Sequence, residues 1–132
     1  QAVVTKNYDA FQTAVSKISG LGQGLTPAGD DFLVGVLFGL FATLPAQAVR
    51  PWREIVVETG TPRTTTLSGA WLKAAARGEA VAAWHEFYEQ LMVNDGEWET
   101  AVNRILDIGH SSGADALSGF TAVTKIVDLN KQ

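Results

Sequence analysis

Apolar residues recur every three to four positions along most of the chain, a spacing that predicts helices almost throughout. From Thr5 to Ser19, Tyr8, Phe11, Val15 and Ile18 fall on one face, as in an amphipathic helix that turns one side inward. Gly20 ends that pattern. After a loop, Phe32 to Leu44 form a run of thirteen almost wholly apolar residues. A helix that is apolar on every side has to be covered on every side. The segment at about 27–44 is therefore the predicted central buried helix, with Thr26 as its N-cap, Pro27 in its first turn and its end before Pro45.

Residues 45–62 are less regular. Trp52, Ile55 and Val56 fit a short helix beginning at Pro51, although Ile55-Val56-Val57 also suits a strand, and Gly60-Thr61-Pro62-Arg63 reads as a loop. Thr64, Thr65 or Thr66 can cap the next helix, whose shared face holds Leu67, Ala70, Trp71, Ala74 and Ala75, with Gly78 placed as a C-terminal cap. Val81, Trp84, Phe87, Tyr88, Leu91 and Met92 predict a helix over about Glu79–Val93, and Asn94-Asp95-Gly96 is a turn signal. Trp98, Val102, Ile105, Leu106 and Ile108 predict another over Glu97–Ile108, closed by Gly109. Leu117, Phe120, Val123, Thr124 and Val127 predict a last helix over about Gly113–Leu129. The sum is all-α: a compact orthogonal bundle of six to seven helices around the buried helix at 27–44, in a single domain spanning 1–132. The four tryptophans read as core residues.

Composition narrows the function classes. Ten Lys and Arg against fourteen Asp and Glu give a net charge of −4, and the basic residues are scattered singly, so nucleic acid is not an expected partner. The absence of cysteine excludes disulfides, thiol catalysis and thiolate metal sites, and fits a reducing, cytoplasmic setting. The apolar run falls short of the roughly twenty residues that cross a bilayer, so no membrane partner is expected. The chain opens at Gln1, not at methionine, which suggests processing or a fragment of a longer protein.

Candidate chemistry concentrates just before the central helix. Gly20, Gly22 and Gly24 make a loop whose backbone can approach a ligand closely, followed at once by Thr26-Pro27-Ala28 and the carboxylates of Asp30 and Asp31. The end of the chain echoes this stretch: Gly29-Asp30-Asp31-Phe32-Leu33-Val34-Gly35 aligns with Gly113-Ala114-Asp115-Ala116-Leu117-Ser118-Gly119 as G-x-D-x-L-x-G. In both, Asp and Gly lie four residues apart on one helix face. If Gly35 and Gly119 are the points where the two helices touch, both helix starts lie within roughly 15 Å of each other and share a pocket. Paired N-termini would offer N–H groups to a small anion such as phosphate or carboxylate. Four roles are open to Asp30, Asp31 and Asp115: repelling an anion, bridging it through Mg²⁺, acting as acid or base, or capping their own helices.

Other residues join the candidate set. His110, ahead of Ser111-Ser112, is better placed than His85 for proton transfer or anion binding. Arg63, with Thr64 beside it, suits phosphate or carboxylate recognition. Gly22, Gly24, Thr26, Arg63, Thr64, Ser111, Ser112 and Asp115 are thus candidate substrate-binding residues, and His110, Asp31 and Asp30 candidate catalytic ones. Neither a dinucleotide fingerprint, a P-loop nor a nucleophile elbow is present.

The segments 20–35 and 108–119 together resemble the AllH-like family, whose named member is the oxamate carbamoyltransferase subunit AllH. Thr65 or Thr66 with Leu67-Ser68, Leu72, Ala75 and Gly78 is similar to that family's middle motif. The resemblance implies a cytoplasmic bacterial protein of purine or related catabolism. Such a subunit would work with others to exchange a carbamoyl group between oxalurate and phosphate. It implies as well that this chain is the C-terminal half of a longer protein, with a missing N-terminal half and other enzyme subunits as partners and a small anionic substrate. Mg²⁺ is the one cofactor the aspartates suggest. The alternative is a non-catalytic helical module that binds a ligand or a partner subunit.

Overall fold

Seven α-helices and no strand occur among the described residues of the computed structural model, 6–93 and 96–131, with side chains of the last helix described through Ile126. They are α1 (Tyr8–Ile18), α2 (Ala28–Thr43), α3 (Ala46–Ile55), α4 (Thr66–Ala76), α5 (Ala82–Leu91), α6 (Trp98–Leu106) and α7 (Ser112–Lys131). A π-helical turn, Val56–Gly60, and a 3₁₀ turn, Thr61–Arg63, carry α3 towards α4. The expected Asn94-Asp95-Gly96 turn lies largely outside the described residues.

α2 is the central element, as its uniformly apolar sequence requires. Leu33, Leu37 and Leu40 are buried on it together with Val36 and Phe38, each large side chain contributing about 1.5–3 kcal/mol by leaving water. Its most extensive contact is with α7. Phe38 packs on Trp84 of α5 with ring centroids 4.8 Å apart, and Trp84 and Phe87 both meet Phe120 of α7, at 5.6 and 5.4 Å. On the other side, Phe11 of α1 packs edge-on against Trp52 of α3 at 5.1 Å. The buried apolar residues form one continuous cluster.

Several boundaries differ from the sequence reading for identifiable reasons. α3 begins directly after Pro45 and holds Pro51 inside it. A proline at that position removes the hydrogen bond to Gln47, which is exposed, so water can serve that carbonyl. Gly60 to Arg63 is helical turn and not open loop. Thr65 caps α4 by accepting the Ser68 N–H at 3.0 Å. The inward face of α4 is Ser68, Gly69, Leu72, Ala75 and Ala76, so Leu67 and Trp71 face solvent, 45% and 46% exposed. Of the tryptophans, Trp52 and Trp84 are core residues, whereas Trp71 and Trp98 are not. Gly78 takes φ +77° and closes α4 through Gly78 N–H to Ala75 O and Glu79 N–H to Ala74 O, the expected glycine cap.

Candidate functional site

α2 and α7 cross at their glycines. A Cβ on Gly35 would lie 2.9 Å from Ala116 Cα and closer still to its carbonyl, and a Cβ on Gly119 would lie 2.9 Å from Val36 N and closer still to the Phe32 carbonyl. Phe32 and Ala116 occupy the same position in the two G-x-D-x-L-x-G segments, so each segment packs on the other reciprocally. The first glycine of each segment does a second job. Gly29 lies against the Ile18 carbonyl at the end of α1, and Gly113 against the Ile105 carbonyl near the end of α6.

The two hairpins that feed these helices are built alike. Leu21 N–H donates to Ile18 O and Gly29 N–H to Leu21 O, at 3.0 and 2.9 Å; Ile108 N–H donates to Ile105 O and Gly113 N–H to Ile108 O, at 3.0 and 3.2 Å. Gly22 and Gly109, each next to the residue that both donates and accepts, both take positive φ, +123° and +61°. The two helix starts adjoin, with Thr26 Oγ1 and Ser112 Oγ 3.4 Å apart.

Asp30 and Asp31 point in different directions, since neighbouring helical residues are rotated by roughly 100°. Asp30 is 1% exposed. Its Oδ1 accepts the Gly20 N–H at 2.9 Å and its Oδ2 accepts the Thr64 hydroxyl, so one carboxylate ties the glycine loop to the start of α4. The Thr65 hydroxyl adds a second tie, donating to Leu25 O at 2.5 Å. The first-turn N–H groups of α2 are committed as well: Asp30 and Asp31 donate to Pro27 O at 3.0 and 3.2 Å. Pro27, and not Thr26, is the N-cap residue, which leaves the Thr26 hydroxyl directed at α7.

Asp31 instead lines a cavity of about 160 Å³ between α2, α4, α5 and the start of α7. Val34, Phe38, Trp71, Val81, Trp84 and Ala116 supply apolar wall, and Thr26, Asp31 and Ser112 share the lining. Glu79 also lines it and is bonded by Arg77 through Nε and Nη2, both at 3.0 Å, which holds its carboxyl below the usual value. Partial burial raises the Asp31 pKa. The nearby Ser112 hydroxyl pulls the other way, and the charges of Asp115 and Asp30 reinforce the rise. Asp115 Oδ2 is buried with no hydrogen-bond partner.

A raised carboxyl pKa means that the ionised form is worse in the folded than in the unfolded chain. That cost is fully present above the folded pKa and is relieved as pH falls through it. Asp31→Asn is therefore expected to raise the melting temperature at pH 7. The gain should shrink as pH falls into the carboxylate range. Thermal melts at pH 7 and pH 4 check this, and a lower melting temperature for the variant at pH 7 would count against it.

The remaining candidates lie at varied distances from this corner. Gly22 and Gly24 are on the exposed loop, and Ser111 and His110 are exposed just ahead of α7. The backbone of Arg63 lies against Gly20, but its guanidinium donates to Thr59 O at 2.8 Å and lines a separate depression with Asp9 and Glu58. His85 is exposed on α5. Among the described residues, no three His, Cys, Asp or Glu side chains are grouped so as to hold a metal ion. Nor is any helix long and apolar enough to cross a membrane. Phe38, Trp71, Val81 and Trp84 were not legible as pocket walls, because helical spacing gives a face but not what lies opposite it.

Residues 18–124 match the family model described as "Oxamate carbamoyltransferase subunit AllH". No solved structure gives a significant match.

Proposed function

The chain belongs to the AllH family, and from that premise we propose that it is a carbamoyltransferase subunit acting on the small anions oxamate or oxalurate and carbamoyl phosphate at the corner where α2 and α7 begin. The observation that carries this reading is the Asp31 carboxylate set beside the Thr26 and Ser112 hydroxyls at an apolar-walled cavity. A carbamoyl or oxamate amide presents an NH₂ group and a carbonyl oxygen. The carboxylate accepts from the first and the hydroxyls donate to the second. The apolar walls exclude water around the planar group, which strengthens those bonds.

The carboxylate or phosphate end of such a substrate requires positive charge. Among the described residues no Lys, Arg or His lines this cavity, so that charge has to come from outside its lining. His110, exposed two residues before Ser112, is the proposed proton-transfer group on the open side, and Asp30 is proposed to hold the loop in place. Oligomeric assembly with other subunits is part of the reading, as the family description states a subunit.

The test uses the assembled enzyme. Asp31→Ala and Ser112→Ala are each expected to lower kcat/KM for carbamoyl transfer by about 10- to 100-fold, with circular dichroism unchanged in both and subunit assembly unchanged in Ser112→Ala. His110→Gln is expected to alter the pH profile. Parental turnover in the Asp31 and Ser112 variants would overturn the assignment of the site.

A further inference from the structure

The cavity combines aromatic surface and negative charge, and no described Lys, Arg or His lines it. Phe38, Trp71 and Trp84 line it alongside Asp31, and the charge of Asp115 acts on Asp31. The other carboxylate in the lining, Glu79, is already bonded by Arg77. Asp115 Oδ2 stands buried with no partner. Aromatic faces attract cations, and carboxylates that repel each other when partly withheld from water gain when a cation arrives. At about 160 Å³, the cavity suits side-chain-sized groups and not a helix.

Exposed apolar residues adjoin its lining along the chain. Leu25, next to the lining Thr26, is 71% exposed, and Leu67, one turn before the lining Trp71, is 45% exposed. A small free cation would leave these residues wet, whereas a protein surface covers them.

We infer that this cavity is the socket for an arginine or lysine side chain of a partner subunit, presented on an apolar surface. The alkyl stem lies along Trp71 and Trp84 and the charged head meets Asp31. The inference rests on the subunit reading above and deepens it: a carboxylate has two oxygens, so Asp31 holds the partner's cation on one and the substrate amide on the other. The socketed cation then stands beside the substrate's anionic end.

The test follows the tryptophan indole N–H signals of the full chain by NMR. Four probes are titrated: ethylguanidinium, ethylurea, a capped tripeptide with arginine between two leucines, and its citrulline counterpart. The arginine peptide is expected to shift the Trp71 and Trp84 signals and leave Trp52 unmoved. It should bind at least about tenfold more tightly than the citrulline peptide and than ethylguanidinium, and at least about fivefold more weakly to Asp31→Asn. Equal binding of the citrulline peptide would remove the need for charge. Ethylguanidinium binding as tightly as the peptide would make this a site for a small free cation, and no shift with any probe would leave no socket; each outcome overturns the inference. If turnover falls in Asp31→Ala but no probe binds, the socket fails and the carbamoyltransferase reading stands. If the arginine peptide binds but turnover is unchanged, the converse holds.

Discussion

Gly35→Ala is expected to cost at least about 4 kcal/mol and to lower the melting temperature by well over 10 °C. The added Cβ would lie 2.9 Å from Ala116 Cα and nearer still to its carbonyl carbon and oxygen. These are backbone atoms in the body of α7, which no rotamer change can move. The helices would have to part, and α2 cannot shift without opening voids around Leu33, Leu37 and Leu40, all of them buried. Ordinary overpacking costs about 1–3 kcal/mol; a collision with backbone at the largest helix contact exceeds that range. Gly119→Ala is expected to match it, since its Cβ would meet the Phe32 carbonyl and Val36 N. Gly39→Ala, whose Cβ would lie 3.0 Å from Val123 Cβ and 3.2 Å from Phe120 O, should lose about 1–2 kcal/mol. Gly24 has φ +87° but open space around it, so Gly24→Ala should lose about 1 kcal/mol from backbone strain alone. Urea denaturation of the four variants gives the order, and equal losses at Gly35 and Gly24 would show that the close crossing is wrong.

That crossing was legible in seven residues repeated at both ends of the chain, because a glycine one turn into a helix has few other reasons to recur. Helix content was legible too, since a 3.6-residue period is a local property of the sequence. Local patterning cannot say which of two faces lies inward when one is small and the other large. On α4, Leu72 packs inward with Ser68, Gly69, Ala75 and Ala76, while the larger Trp71 stays 46% exposed; large apolar residues are often exposed. Asp30 and Asp31 look equivalent in sequence, yet one rotation step along the helix sends the first into the protein and the second to the cavity. Arg63 shows the same limit: its backbone reaches the glycine loop and its side chain turns away. Only tertiary contacts settle those directions.

Asp30→Ala is expected to cost about 3 kcal/mol, and its effect should reach the cavity without touching it. The carboxylate serves the Gly20 N–H and the Thr64 hydroxyl from a position 1% exposed to solvent. Removing it leaves two partly buried donors unpaired, each costing about 1–2 kcal/mol. Asp30→Asn should be milder, at about 1 kcal/mol, because the amide oxygen can still accept from one donor and the Thr64 hydroxyl can turn to accept from the amide NH₂. Thr64→Val alone should cost about 1–2 kcal/mol, and the double variant Asp30→Ala/Thr64→Val less than the sum, since the second change removes a donor that the first had stranded. With that tie cut, the loop carrying Thr26 keeps only the Thr65 bond to Leu25 O at the start of α4. Amide exchange at Gly20 and at Gly29, which donates to Leu21 O, should then quicken relative to Leu37 in the core. If Asp30→Ala melts with the parent and these amides stay as protected as before, the carboxylate is not the clasp of the loop, and the placement of Thr26 beside Ser112 must be held by Thr65 and the packing of Gly29 on α1.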